Sequence, residues 1–250
     1  MESALIWDID VSKRFEHAKT RFDLKVCFES PSQRLVLFGP SGAGKTQTLK
    51  MIAGLARPDR GRVSLAGEVV FDHGTGIDLA AQDRRLGYVF QDYALFPHLT
   101  VRQNIAFGLR LGWRNPPCDM VNEAVDRWIG AFGLEPIERH FPEQLSGGQR
   151  QRTALARALV TQPRALLLDE PFAALDKTLR HRLRDGLRDL QQHLDIPVLL
   201  ITHDEDDVSY FAEEVVHLEE GRVVDLTPAS EMVVTLAASV PNESLACIDG

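Results

Sequence analysis

The chain has 250 residues, of which 44% are hydrophobic and 26% are charged, and this balance is typical of a globular protein. It excludes a disordered chain, a collagen and a coiled coil. The formal net charge is −8, from 28 Lys and Arg against 36 Asp and Glu, which argues against a sequence-independent nucleic-acid binder, because such proteins rely on Lys and Arg at the phosphates.

Neither a membrane-spanning segment nor a secretory signal is expected. Apolar runs such as Val198–Ile201 are far too short to cross ~30 Å of hydrocarbon, and the first ten residues lack the basic-then-apolar pattern of a signal peptide. The cysteines Cys27, Cys118 and Cys247 are odd in number and far apart, which predicts reduced thiols in a cytosolic protein. If the chain serves a membrane, it must do so through a partner.

In the first half of the chain, an apolar run at Leu35–Phe38 ends at Gly39 and predicts a strand. Residues Arg62–Phe90 read as short strands joined by tight turns. The segment from about 92 to 150 has little strand character, and we expect it to form a small helical subdomain. One helix in it is predicted from an apolar stripe made of Val121, Ala124, Val125, Trp128, Ile129 and Phe132.

The second half repeats the alternation of strand and helix that is typical of an α/β sheet. Strands are predicted at Ala165–Leu168 and Val198–Ile201, and a leucine stripe predicts a helix over Lys177–Leu194 between them. The carboxyl ends of parallel strands meet at one edge of the sheet. We therefore expect the polar residues that follow these strands to converge on one site.

The sequence GPSGAGKT, directly after the first of these strands, matches the pattern G-x-x-x-x-G-K-[ST]. Glycines in such a loop let consecutive N–H groups surround phosphate oxygens, and the helix that follows adds its positive end. Lys45 would reach the β- and γ-phosphates, and the Thr46 hydroxyl is suited to ligate Mg²⁺. The residues of this predicted phosphate-binding loop are Gly39, Pro40, Ser41, Gly42, Ala43, Gly44, Lys45 and Thr46.

The strand sequence ALLLDE ends in two adjacent carboxylates. Asp169 is suited to hold a hydrated Mg²⁺ ion, and Glu170 is placed to orient or deprotonate a water molecule at the γ-phosphate. Two acidic residues at a strand end are usually solvated loop residues. Together with the phosphate-binding loop, however, they predict a catalytic pair.

The sequence LSGGQ opens a predicted helix. Ser146 and Gln149 have the spacing of a capping box, while Gly147 and Gly148 leave the first N–H groups uncovered. A helix N terminus of this kind is a second candidate anion site. Alone, the pentapeptide would indicate only an ordinary capped helix.

These residues resemble the motifs of the ATP-binding cassette (ABC) ATPases, in particular the nucleotide-binding subunits of bacterial importers. GPSGAGKT is similar to the Walker A motif, ALLLDE to the Walker B motif and LSGGQRQR to the signature. Gln91 corresponds to the Q-loop, the AALD sequence at 173–176 to the D-loop, and His203 to the switch histidine. The resemblance covers roughly residues 5–226, and the order and spacing of all six motifs agree.

The resemblance implies an α/β fold, with a P-loop NTPase core, an antiparallel β subdomain and an inserted helical subdomain. It implies one ABC ATPase domain over residues 1–226, with the helical subdomain at about 92–150, and a short C-terminal tail at 227–250. Two positions depart from the family pattern. Ala173 replaces the usual D-loop serine, and Gln47 replaces a second hydroxyl residue after Thr46.

The resemblance also implies ATP and Mg²⁺ as cofactors and assigns roles at the site. The catalytic residues would be Glu170, His203 and Gln91, and the metal ligands would be Thr46, Gln91 and Asp169. The phosphates would be held by the Gly39–Thr46 loop and by Ser146, Gly147, Gly148 and Gln149. Phe15 occupies the position of the aromatic residue that stacks on adenine. Phe22 is a rival for that role, and a core position is the alternative for Phe15.

The implied function is ATP hydrolysis that drives uptake of a small solute through a separate integral-membrane permease. The stretch 69–101 is most similar to the ATPases of inorganic oxyanion importers, molybdate first and sulfate second. The implied partners are the permease subunits, a second copy of the chain in a head-to-tail homodimer, and a periplasmic or extracellular solute-binding protein, with no nucleic acid. The implied location is peripheral, at the cytoplasmic face of the inner (plasma) membrane.

Two alternatives stay open. One is an ABC ATPase outside transport; the segment between Gln91 and Leu145 fits a compact helical lobe, however, and is too short for the long coiled coil of DNA-repair or chromosome cassettes. Cassette proteins that act on ribosomes usually have two cassettes in one chain, whereas this sequence contains one. The other alternative is an importer subunit for a different solute.

Overall fold

The computed structural model describes residues 5–17, 20–109, 115–117, 119–172 and 177–231. Eleven strands in these ranges form a single sheet. The strands are β1 (Trp7–His17), β2 (Thr20–Ser30), β3 (Arg34–Phe38), β4 (Arg60–Leu65), β5 (Glu68–Asp72), β6 (Ile77–Asp78), β7 (Leu86–Val89), β8 (Ala165–Asp169), β9 (Val198–Thr202), β10 (Glu214–Glu219) and β11 (Arg222–Pro228). The α-helices are α1 (Lys45–Ala53), α2 (Val101–Phe107), α3 (Glu123–Ala131), α4 (Gly147–Leu159), α5 (Lys177–Leu194) and α6 (Glu205–Phe211).

The sheet has an antiparallel part and a parallel part, in the order β6-β5-β4-β1-β2-β11-β10-β3-β9-β8-β7. Strands β1, β2, β4, β5 and β6 pair antiparallel, with Phe15 of β1 opposite Phe22 of β2. Strands β10, β3, β9, β8 and β7 pair parallel. Strand β11 joins the two parts, antiparallel to β10 and parallel to β2.

The parallel strands are buried on both faces, which explains their continuous apolar sequences. In β3, Leu35 and Leu37 pack into the core on one side of the sheet, and Val36 packs into the core on the other. The β9 residues alternate in the same way. One core includes α1 and the antiparallel strands, and the other includes α2, α3 and α4, so the sheet separates two apolar layers.

Local sequence explains where the helices begin. Thr100 caps α2 and Ser146 caps α4, each in a reciprocal capping box with the glutamine three residues later. Helix α1 begins after Gly44 and ends at Gly54, and both glycines have left-handed backbone conformations. None of the helices in the described ranges is long and apolar enough to span a membrane.

The predicted α/β fold is confirmed. The three predicted strands correspond to β3, β8 and β9, which are adjacent and parallel as expected, and the predicted helix over Lys177–Leu194 matches α5. The predicted stripe in α3 was wrong at one position. Asn122 caps that helix by accepting hydrogen bonds from two N–H groups, so Val121 lies outside it and is 87% exposed. The D-loop at 173–176, Cys118, Cys247 and the tail from 232 onward lie outside the described residues.

Candidate functional site

The phosphate-binding loop follows β3 and requires glycine at two positions. A Cβ atom on Gly39 would lie 2.0 Å from the backbone oxygen of Leu218, and one on Gly44 would lie 2.5 Å from Leu24 Cδ1. Gly44 also has φ 101°, a conformation that other residues rarely adopt. The close approach of β10 therefore fixes Gly39, and the left-handed backbone fixes Gly44, in both cases independently of any ligand.

Lys45 lies inside this loop, with only 5% of the residue exposed. Its Nζ donates hydrogen bonds to the carbonyl oxygens of Gly39 at 2.7 Å and Pro40 at 2.9 Å. Burial lowers the pKa of the ammonium group, while the charges of Glu170 and Asp169 oppose that shift. A partly desolvated cation of this kind is suited to contact a phosphate.

Asp169 ends β8 and is held from two sides. The Thr46 hydroxyl donates to its Oδ1 at 2.9 Å, and the Tyr88 hydroxyl donates to its Oδ2 at 3.2 Å. Burial raises the pKa of the carboxyl, while these two hydrogen bonds lower it. The contact between a hydroxyl and a carboxylate gathers the hard oxygen ligands that Mg²⁺ prefers, so these residues fit that ion.

Glu170 has a strained backbone, with φ 45°, directly after five buried residues of β8. Its Oε1 lies 3.3 Å from Nδ1 of His203, which follows the neighbouring strand β9. Backbone strain at a non-glycine residue persists where the surroundings fix it, and it is concentrated at functional sites. Two of the three predicted catalytic side chains, Glu170 and His203, are thus in contact.

A buried network supports the backbone around His203. The Thr202 hydroxyl donates to Oδ2 of Asp207 at 2.6 Å and accepts from the N–H of Asp204 at 3.0 Å. Nε of Arg184 on α5 donates to Oδ1 of Asp207 at 2.7 Å. The turn that carries His203 is therefore tied to both α5 and α6.

These elements border a cleft of about 490 Å³. Its lining consists of Phe15, Phe22, Ser41, Gly42, Gly44, Lys45, Thr46, Gln47, Gln91 and Glu170. Space next to Gly42 is open, and the rings of Phe15 and Phe22 lie 6.3 Å apart at one side. The cleft thus combines a cationic phosphate cradle, a carboxylate and two aromatic rings, which is the chemistry that a nucleotide requires.

The signature residues lie elsewhere. Ser146 is exposed at the N terminus of α4, where its hydroxyl accepts from the Gln149 N–H at 3.3 Å and its N–H donates to Gln149 Oε1 at 2.8 Å. None of the four predicted signature residues lines the cleft of its own chain. A single chain therefore brings together the predicted Walker A, Walker B, Q-loop and switch residues, but not the signature.

Sequence reasoning missed three groups of residues that support this site. They are Tyr88, the network of Thr202, Asp207 and Arg184, and Arg157, which bonds to the backbone after Gln91. A hydroxyl within the otherwise apolar sequence LGYV was the available signal for Tyr88. The contacts of Arg184 with Asp207 and of Arg157 with Ala94 join elements far apart in sequence and leave no local pattern, whereas Thr202 and Asp207 are only five residues apart.

Comparison with known proteins agrees with this geometry. The family model described as ABC transporter matches residues 23–173, more than half of the chain. The chain therefore belongs to the ABC transporter family and is an ABC ATPase, which confirms the resemblance seen in the motifs.

Among its relatives is the probable sulfate/thiosulfate import ATP-binding protein of Chlorella vulgaris, 41% identical over 89% of this chain and 91% of the relative. The sulfate/thiosulfate import ATP-binding protein of Synechocystis is 43% identical over 89% of this chain and 60% of the relative. The molybdenum import ATP-binding protein of Rhodospirillum rubrum is 40% identical over 90% of this chain and 59% of the relative. The chain thus spans about three fifths of the length of the last two.

Solved structures agree as well. A dimeric ATP-binding cassette in a post-hydrolysis state, bound to ADP and Pi, has a TM-score of 0.74 and 29% identity, and the match covers 90% of this chain and 98% of that one. A second dimeric structure of the same bacterial ABC transporter cassette matches equally well.

Proposed function

We propose that this chain is the ATP-hydrolysing subunit of an ABC importer for a small solute. The observation that carries the proposal is the juxtaposition, around one cleft, of buried Lys45, the Thr46–Asp169 pair and the Glu170–His203 pair. In this proposal Phe15 stacks on adenine, with Phe22 beside it, and the Gly39–Thr46 loop holds the phosphates.

The proposed catalytic and metal-binding residues have distinct tasks in hydrolysis. Glu170 accepts a proton from water as the water oxygen bonds to the γ-phosphorus and the bond to the bridging oxygen breaks. His203 holds the Glu170 carboxylate, and Gln91 orients the water with its carboxamide. Thr46, Asp169 and Gln91 would hold Mg²⁺, which supplies positive charge to the phosphate oxygens when bound.

Replacing Lys45 and Glu170 tests this proposal. Lys45→Ala removes the cation of the loop, so ATP affinity and turnover should both collapse. Glu170→Gln keeps the shape but not the charge, so ATP should still bind while hydrolysis falls by roughly 10²–10⁴-fold. Binding of labelled ATP and phosphate release are measured on purified protein.

Matched controls are available on β2, where Lys25 and Glu29 are exposed. Lys25→Ala and Glu29→Gln should behave like the parent protein. Full hydrolysis by the Lys45→Ala protein would reject the proposed ATPase site. Loss of ATP binding in Glu170→Gln would show that Glu170 has a structural task instead.

The transported solute is proposed from the relatives. Two of the three relatives described above are named for import of sulfate or thiosulfate and one for molybdenum. We therefore propose an inorganic oxyanion, with sulfate or thiosulfate ahead of molybdate, which reverses the order expected from the stretch 69–101. Cells that carry Lys45→Ala in this chain should lose uptake of labelled sulfate but keep uptake of an unrelated solute. Loss of molybdate uptake alone would reverse the order, and normal uptake of both would reject the oxyanion.

The proposed assembly contains integral-membrane permease subunits, two copies of this chain arranged head to tail, and a periplasmic or extracellular solute-binding protein. The chain would lie peripherally at the cytoplasmic face of the inner (plasma) membrane. Residues 1–226 would form the cassette, with the helical subdomain at about 92–150, and residues 227–250 the tail. Strand β11 extends to Pro228, two residues past that boundary.

A further inference from the structure

The backbone after Gln91 is strained at two consecutive residues. Tyr93 has φ 64° and Ala94 has φ 42°, both in the left-handed region that non-glycine residues rarely adopt. Tyr93 is also buried, with 6% of the residue exposed. Such a conformation persists only where surrounding contacts fix it. Within the segment itself, the Tyr93 N–H donates to the Phe90 carbonyl oxygen at 2.8 Å and the Ala94 N–H donates to Asp92 Oδ1 at 3.2 Å.

Arg157, near the C-terminal end of α4, supplies the long-range contacts. One guanidinium nitrogen donates to the Tyr93 carbonyl oxygen at 2.7 Å, and another donates to the Ala94 carbonyl oxygen at 2.7 Å. The guanidinium carbon also lies 5.6 Å from the ring centroid of Phe96. A guanidinium has several donors in a rigid plane, so one side chain fixes two successive peptide groups.

A second contact anchors the same segment to the helical layer. Asn104 on α2 is fully buried, and its amide both accepts from the Phe96 N–H at 2.8 Å and donates to the Phe96 carbonyl at 3.2 Å. The segment 93–96 is therefore fastened to α2 and α4. Gln91, two residues before it, lines the nucleotide cleft.

We infer that Arg157 is a positioning residue, which fixes the segment 93–96 to α4 and thereby holds Gln91 in place at the cleft. This inference rests on the proposed function and adds a residue to it. Arg157 follows Ser146 by eleven residues, which is roughly 16 Å along a helix. Helix α4 thus connects the signature end, which would meet ATP on a second chain, to the backbone that places Gln91.

Two substitutions at Arg157 test the role of its hydrogen bonds. Arg157→Met keeps an unbranched apolar stem but removes both bonds, and it should lower kcat about tenfold because Gln91 is no longer held in place. The KM for ATP should stay within about twofold, since the phosphate-binding loop is unchanged. Arg157→Lys restores a donor and should recover part of kcat.

Arg102 on α2 provides the matched control. It makes hydrogen bonds to Glu138, Asp126 and the Met120 carbonyl, in the same helical layer but away from the segment 93–96. Arg102→Met should lower the melting temperature while leaving kcat within about twofold. If both variants reduce kcat in proportion to their loss of stability, Arg157 is merely structural and the inference is overturned.

A double-mutant cycle separates positioning from general damage. If Arg157 acts through Gln91, Arg157→Met should have no further effect on kcat in a Gln91→Ala background. Independent, multiplying losses would overturn the inference.

Hydrogen exchange on the full chain gives a readout that does not depend on ATPase activity. Arg157→Met should accelerate amide exchange in the peptide covering residues 91–97 and not in the one covering β8, whereas unchanged exchange would overturn the inference. If the parent protein hydrolyses no ATP, the proposed function fails, and the exchange result still decides whether Arg157 fastens this segment.

Discussion

Side chains from three separate parts of the sequence meet at Asp169. Thr46 lies on α1, Tyr88 on β7 and Asp169 on β8. The Thr46 hydroxyl donates to one oxygen of the Asp169 carboxylate, and the Tyr88 hydroxyl donates to the other. The carboxylate is buried, with 3% of the residue exposed, so its orientation depends on these two donors. Burial raises the pKa of Tyr88, and the nearby charge of Asp169 adds to that shift, so its hydroxyl remains a donor.

We predict that Tyr88→Phe weakens the response to Mg²⁺ without abolishing ATP hydrolysis. Loss of a hydrogen bond to a metal-binding carboxylate typically costs 10–100-fold in metal affinity, and we expect about tenfold here. The aromatic ring at position 88, whose centroid lies 4.3 Å from that of Phe90, would be kept, so the fold should be unaffected. The measurement is a Mg²⁺ titration of both ATPase activity and ATP binding.

The control for Tyr88→Phe is Tyr210→Phe on α6, a tyrosine whose ring lies 5.8 Å from the guanidinium carbon of Arg188. It should leave the Mg²⁺ titration unchanged. Identical titrations for the Tyr88→Phe and parent proteins would show that Thr46 alone is enough to orient Asp169.

At the scale of elements, the sequence predicted three continuous apolar strands and two apolar helix stripes, but not β1, β2 or β10, although these also contain buried residues. Strands β3, β8 and β9 are continuous apolar runs because both of their faces are covered, and each was located to within one residue. The leucine stripe predicted both ends of α5 correctly. Strand β11 was not located, because most of its residues are exposed or half-exposed and it has no apolar run.

The site could be predicted as far as its residues lie in short motifs at the ends of elements. The loop before α1 and the acids after β8 are of this kind, and their convergence follows from parallel strands sharing one edge. The contact of Tyr88 with Asp169 depends instead on the pairing of β7 with β8, where Tyr88 lies opposite Leu167. The contact of Arg157 with Tyr93 depends on how α4 packs against the segment after β7. Both are long-range features that no local pattern encodes.

At the scale of the whole molecule, the two predicted anion sites do not meet within one chain. The cleft contains the phosphate-binding loop and Glu170, whereas Ser146 is exposed at the start of α4. A helix N terminus with free N–H groups attracts an anion from outside the chain. If two chains paired so that the ATP on one chain met the signature of the other, both anion sites would contact the same nucleotide. ATP would then become part of the interface, so that binding closes the dimer and hydrolysis releases it.

A mixed dimer of two defective chains should still hold one ATP molecule. In a Glu170→Gln background, which should retain ATP, one chain also carries Lys45→Ala and the other carries Ser146→Arg. If sites are shared head to tail, one site contains both lesions and the other contains neither, so each mixed dimer should trap one ATP. The parent Glu170→Gln dimer should trap two, and either doubly substituted homodimer should trap none, because every site then contains one lesion. Dimers are isolated through two different affinity tags, and bound nucleotide is counted per dimer.

No trapped ATP in the mixed dimer would mean that each chain builds its site alone. Two ATP molecules in the Ser146→Arg homodimer would show that the signature is not part of the ATP site.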